Sequence, residues 1–128
     1  MESTDNKKKI LIIEDDIFIR DIYQVKFSQE GFDVTVAEDG IIALEILKNM
    51  LPDIILLDII MPRMNGIDVL KKIKDNDDLK NVPIIMLTNI SEKEKINEGL
   101  EYGISDYLIK SHFTPSEVVA KVNTLLNN

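Results

Sequence analysis

The sequence predicts an α/β protein built on a five-stranded parallel sheet, doubly wound as (βα)5 with helices on both faces. Three observations predict it. Five short runs rich in Ile, Val and Leu alternate with segments of helical spacing along the 128 residues, and such alternation gives a parallel sheet with right-handed crossovers. The runs are mostly continuous rather than alternating, the pattern of strands covered on both faces. Capping residues stand where the helical segments should start and stop.

Taken in order, the polar opening Met1–Lys7 is expected to be a disordered tail, and residues 8–128 one domain. The first strand is Ile10–Ile13. The first helix carries Phe18, Ile22 and Val25 at i, i+4 and i+7 as its expected buried stripe, with Asp16 as N-cap and Gly31 at its end. Val34–Ala37 is the second strand, and Ala43, Leu44 and Leu47 mark the second helix. Ile54–Leu57 is the third strand. After the turn Met61–Met64, Asn65-Gly66 opens a third helix with Val69, Leu70 and Ile73 inward. Ile84–Leu87 is followed by a fourth helix with Ile96 and Leu100 inward. Ser91 and Glu94 match a capping box at its start, and Gly103 stands at its end. Tyr107–Ile109 is the fifth strand. Thr114 and Glu117 form a second capping box, with Pro115 at N1, before Val118, Val119, Val122 and Leu126.

Length suits a single core. A hydrophobic share of 45% with 30% charged residues excludes wholesale disorder. The net charge of −8 disfavours direct nucleic-acid contact, which needs clustered Lys and Arg. There is no cysteine, so disulfides, thiolate metal sites and cysteine nucleophiles are excluded. No apolar run approaches the roughly 20 residues that span a bilayer, and the opening lacks the features of a secretory signal. A cytoplasmic location without membrane contact is expected.

In doubly wound sheets ligands sit beyond the carboxyl ends of the strands, near the switch point. Those positions hold Glu14-Asp15-Asp16 after the first strand, Asp58 closing the third, Thr88 closing the fourth and Lys110 after the fifth. Clustered carboxylates repel one another and raise proton affinity unless a cation neutralises them. Hard oxygen ligands in this number suit Mg²⁺, and the only histidine, His112, is not among them. A carboxylate can attack a phosphoryl group to form an acyl phosphate, with an ammonium stabilising charge on the transferring oxygens.

Four motifs carry these residues: Ile12-Ile13-Glu14-Asp15-Asp16, Leu56-Leu57-Asp58-Ile59-Ile60-Met61-Pro62 with Asn65-Gly66, Ile85-Met86-Leu87-Thr88, and Asp106-Tyr107-Leu108-Ile109-Lys110. Together they resemble the receiver family of two-component signalling proteins, of the chemotaxis-Y type, from Lys8 to Leu126. The resemblance implies a flavodoxin-like fold and a phosphorylation switch rather than an enzyme. By it, Asp58 receives the phosphoryl group from a histidine kinase or phosphotransfer protein. Asp15, Asp58 and the backbone carbonyl of Ile60 would hold Mg²⁺ (or Mn²⁺), with Glu14 acting through a water. Thr88 and Lys110 would each take a phosphoryl oxygen, and Tyr107 would be the switch aromatic that moves with Thr88. Asp16 is assigned to capping, and Pro62 and Gly66 to shaping the loop that presents the Ile60 carbonyl.

The same resemblance assigns output to the face of the fourth helix, fifth strand and fifth helix, in a monomer or a weak phosphorylation-dependent homodimer. Met1 and the complete (βα)5 unit lead to the expectation of a stand-alone chain acting through protein contacts. A receiver excised from a larger regulator is the alternative. The family usually has Pro after its active-site Lys, whereas Ser111 stands here. A cis bond before a non-proline costs about 2.5–4 kcal/mol, so a trans peptide and a rearranged loop are expected. Asn89 is bulkier than the small residue common at its position. Ile60 and Ile90 would place apolar groups beside the phosphoryl group, so slow hydrolysis is expected.

Other classes fit less well. A haloacid-dehalogenase-like phosphatase needs a second Asp two residues after the first-strand nucleophile, and Ile17 stands two after Asp15. A flavin mononucleotide binder needs a Ser/Thr/Gly-rich phosphate loop where Glu14-Asp15-Asp16 would repel the phosphate. A pseudo-receiver, keeping the fold for interaction alone, would not respond to beryllofluoride with Mg²⁺.

Overall fold

The computed structural model describes residues 7–89 and 92–127. The first six residues of the expected tail, Ile90 and Ser91 lie outside it. The chain runs β1 (Lys9–Ile13), α1 (Ile17–Gln29), β2 (Asp33–Ala37), α2 (Gly40–Leu47), β3 (Ile54–Asp58), α3 (Gly66–Lys74), β4 (Ile84–Thr88), α4 (Lys93–Glu101), β5 (Asp106–Ile109) and α5 (Pro115–Leu126). All four strand pairings are parallel, in the order β2-β1-β3-β4-β5. This is the flavodoxin-like arrangement, with β1 and β3 side by side at the switch point.

Two cores follow from strand alternation. Leu11, Ile13, Ile55 and Leu57 face α2, α3 and α4 with Val69, Leu70 and Ile73. Ile10, Ile12, Ile54 and Leu56 face α1 and α5 with Phe27, Val118, Val119 and Val122. Because both faces are covered, β3 and β4 are buried along their whole length, and their last residues, Asp58 and Thr88, are buried too. The strands therefore carry polar groups out of an apolar layer to one edge.

Local chemistry fixes the ends. Asp16 caps α1, accepting from the backbone N–H groups of Phe18 and Ile19 at 2.9 and 3.2 Å. Asn65 caps α3, and Thr114 with Glu117 forms the expected capping box with Pro115 after it. Gly31 and Gly103 follow their helices at φ 92° and 87°, the left-handed region that a β-carbon disfavours.

Two expected helix faces are corrected. Phe18, Ile22 and Val25 are exposed, and α1 buries Tyr23 and Phe27 instead. The helix carries two apolar stripes of similar spacing, and the larger aromatic stripe wins the sheet, Phe27 packing edge-to-face on Phe32 with centroids 5.1 Å apart. In α4, Ile96 is buried as expected but Leu100 is half exposed, and Gly99 sits over β4 so closely that a β-carbon would lie 2.6 Å from the Met86 sulfur. Hydrophobic spacing cannot flag a helix seated on glycine. The expected capping box of the fourth helix falls on Ser91. Ser91 lies outside the described residues, α4 begins at Lys93, and its N-cap Glu92 makes no side-chain capping bond. No described peptide bond is cis, so the one before Ser111 is trans, and residues 110–112 form a single 3-10 turn. Among the described residues no helix is long and apolar enough to cross a membrane.

Candidate functional site

The ends of β1 and β3 bring carboxylates together at the switch point. One oxygen each from Glu14, Asp15 and Asp58 lie within 4.8 Å of one another. Glu14 and Asp58 are buried, and Asp15 is exposed at the mouth. From the far side of β4, the turn after β5 delivers Lys110, whose ammonium lies 2.9 Å from Glu14 Oε1 and 3.2 Å from Asp58 Oδ1. The trans peptide at Ser111 thus still places Lys110 against both acids.

Glu14 is held by its surroundings. Its backbone N–H donates to the Ala37 carbonyl at 3.0 Å, and the Arg20 guanidinium donates to its carbonyl at 3.0 Å. Oε2 accepts from the Asp16 N–H at 3.1 Å. Oε1 is fully buried and, among the described residues, has no aligned hydrogen-bond donor; its close contact is the ion pair with Lys110. Burial first, and the neighbouring Glu14 charge second, push the Asp58 carboxyl from its ordinary 3.8 up to about 8, against the opposing pull of Lys110. For Lys110, burial alone would lower the pKa, but contact with Glu14 and the charge of Asp58 outweigh it and hold the ammonium above its usual range. This is an acidic pair under strong mutual repulsion, tied by one cation.

The other expected residues are placed as follows. Thr88 is buried, and its hydroxyl donates to the Asn89 carbonyl at 3.1 Å. Tyr107 points outward with 38% of its surface exposed. Ile60 is half exposed on the loop between β3 and α3. That loop folds tightly: the Gly66 N–H donates to the Ile59 carbonyl at 2.6 Å, and a β-carbon on Gly66 would stand 2.6 Å from Ile59 Cα. His112 is exposed and outside the acidic cluster.

Sequence reading missed three residues around the site. Tyr23 is buried close to the acids, its phenol held above the ordinary 10.0 by burial first and the Glu14 charge next. Arg20 braces Glu14 from α1. Arg63 pairs with Asp39, the N-cap of α2. None of the three carries a sequence signal, although Asp39-Gly40, on the partner side of Arg63, reads as an N-cap before an apolar run.

Comparison with known proteins decides the family: the response regulator receiver domain matches residues 10–123. This chain belongs to that family. Curated relatives include the DNA-binding response regulator MtrA of Mycobacterium tuberculosis, 38% identical over 94% of this chain and 51% of its own length. The probable transcriptional regulator ycf27 of Cyanophora paradoxa is 39% identical over 94% and 49%. The receiver therefore spans about half the length of the curated relatives it matches. Among solved structures, the Francisella response regulator 1452 receiver domain superposes with TM-score 0.85 at 36% identity, covering 94% of this chain and 98% of that one. Chemotaxis response regulator CheY4 of Vibrio cholerae gives 0.86 at 30% identity, covering 93% and 98%. Receivers are signalling modules, and the acidic pocket through which the family binds Mg²⁺ has its counterpart in Glu14, Asp15 and Asp58.

Proposed function

We propose that the receiver is a phosphorylation-activated switch in which Asp58 accepts a phosphoryl group from a histidine kinase or phosphotransfer protein. The observation that carries this reading is the buried contact of one ammonium, Lys110, with two carboxylates, Glu14 and Asp58. Such a set is unstable in charge and gains from a further cation. The donors fit a hard one: all are oxygens, and among the described residues the buried Glu14 Oε1 has the Lys110 ammonium as its close partner and no aligned hydrogen bond. Asp15, Asp58 and the Ile60 carbonyl would hold Mg²⁺ (or Mn²⁺), with Glu14 acting through water. When bound, the metal supplies neutralisation of charge on the phosphoryl oxygens.

The chain's own residues then divide the work. An Asp58 carboxylate oxygen attacks phosphorus; a P–O bond forms as the donor's P–N bond breaks, and the donor nitrogen keeps the electron pair. Lys110 moves from its carboxylate partners to a phosphoryl oxygen. The Thr88 hydroxyl leaves the Asn89 carbonyl for another, and Tyr107 turns inward behind it. The exposed apolar side chains of Ile17, Phe18, Ile22 and Val25, on the helix that starts directly after Asp15 and Asp16, offer the donor protein a docking strip. Output runs through the face of α4, β5 and α5, in a cytoplasmic protein that is monomeric or forms a weak homodimer once phosphorylated. The half-length match to DNA-binding and transcriptional regulators favours a second reading, the receiver part of a longer regulator.

Mass spectrometry after treatment with a small acyl phosphate and Mg²⁺ tests the central claim. One phosphoryl group is expected on the wild type and none on Asp58→Asn. Modification of the Asn variant to the same extent, or of neither protein, overturns it. Beryllofluoride with Mg²⁺ should shift the amide resonances of Thr88 and Tyr107; a pseudo-receiver would give no response.

A further inference from the structure

Of the chain's two arginines, Arg20 braces Glu14 and Arg63 stands in the loop that carries Ile60. The Arg63 guanidinium pairs with Asp39 Oδ2. Asp39 is buried, and its other oxygen caps α2 by accepting from the Ile42 N–H at 2.9 Å. One carboxylate thus fixes the start of α2 with one oxygen and the β3–α3 loop with the other.

The loop backbone needs such a restraint. Arg63 has φ 67°, the one non-glycine in the left-handed region among the described residues. The Met64 N–H donates to the Pro62 carbonyl at 2.7 Å, closing a three-residue turn around it. Turns of this hand are rare and strained, and they persist where surrounding contacts over-determine them. On the other side of Ile60 the chain is equally fixed: the Ile59 N–H donates to Leu87 at 3.2 Å, and the Ile59 carbonyl accepts from Gly66. Only Ile60, Met61 and Pro62 are strung between these two anchors. Among the described residues no donor is bonded to the Ile60 carbonyl.

The geometry points to Arg63 and Asp39 as a latch that ties the β3–α3 loop to α2 and so positions the Ile60 carbonyl toward the cation. Arg63 is a positioning residue, acting through the backbone three residues before it. The inference rests on the reading of Glu14, Asp15 and Asp58 as a cation site. Because the Arg63 side chain is 55% exposed, breaking the pair should disturb the loop far more than global stability.

The test is Mn²⁺ binding by the full chain, followed through the paramagnetic resonance of the free ion. Four variants are compared: Arg63→Met, Arg63→Lys, Asp39→Asn, which keeps the capping oxygen, and the Arg63→Met/Asp39→Asn double. Arg63→Met and Asp39→Asn should each weaken binding by about tenfold, the usual effect of groups that orient a ligand. The double should bind no worse than either single, since both break one interaction. Arg63→Lys should recover part of the loss. Without metal, Arg63→Met should speed amide exchange at Met64 and Gly66, while its urea midpoint stays near wild type. Wild-type affinity in the singles, or losses that multiply in the double, overturns the latch. If the wild type binds no Mn²⁺, the cation reading falls and the latch with it.

Discussion

Asp58→Asn should stabilise the cation-free protein, and should do so more as pH rises. In the fold, burial and the Glu14 charge raise the Asp58 carboxyl from 3.8 to about 8. An acid with a folded pKa above its unfolded value binds its proton more tightly when folded. Its contribution is intact below pH 4 and is lost as pH climbs toward 8. The gap of about four units, at about 1.4 kcal/mol each, sets a ceiling near 6 kcal/mol. Lys110 and Glu14 relax around the change, so the expected gain at pH 8 is about 1–4 kcal/mol, the range seen when buried ionic clusters are neutralised. Asn keeps an acceptor oxygen for Lys110. Urea unfolding in chelator, from pH 4.5 to 8.5, measures the effect; with no tryptophan in the chain, far-UV dichroism is the signal. Mg²⁺ should narrow the gap, because a ligand at 100 times its Kd stabilises the wild type by about 2.7 kcal/mol. A variant less stable than wild type at pH 8, or a gain constant with pH, would refute the reasoning.

Other perturbations separate the parts of the site. Lys110→Met leaves Glu14 and Asp58 without their cation, and in chelator at pH 8 it should cost about 3–5 kcal/mol in urea unfolding. The loss should shrink toward pH 4.5 as Asp58 protonates, and an equal loss at both pH values would contradict the charge argument. Gly66→Ala drives a β-carbon onto the backbone of Asp58 and Ile59, which cannot yield as a side chain would. It should cost about 1–3 kcal/mol and weaken Mn²⁺ binding; unchanged calorimetric stability would dispose of the close approach. Ile60→Asn replaces an exposed apolar side chain two residues from Asp58 with an amide that can orient a water. Phosphate release from the phosphorylated protein should be faster than in the wild type, and an unaltered rate counts against Ile60 as the barrier.

The strands were legible because a fully covered parallel sheet requires uninterrupted apolar runs, and Ile54–Leu57 and Ile84–Leu87 are such runs at strand length, rich in β-branched residues. Helix ends at Asp16, Asn65 and Thr114 were legible because capping is local chemistry. The buried face of α1 was not. Phe18, Ile22 and Val25 repeat as well as Tyr23 and Phe27 do, and only contact with the sheet separates the stripes.

At the site, the sequence by itself determined which polar groups end which strands, and strand order then had to place Glu14, Asp15 and Asp58 on adjacent strands. Only the tertiary structure decided that Lys110 spans the pocket to touch both buried acids despite Ser111 behind it. It alone revealed Arg20 on Glu14 and Arg63 on Asp39, pairs joined across 6 and 24 residues. The physical reason is range. Covalent order and local hydrogen bonds fix what each segment becomes, whereas charge pairing and burial depend on which segments the fold brings within a few ångströms.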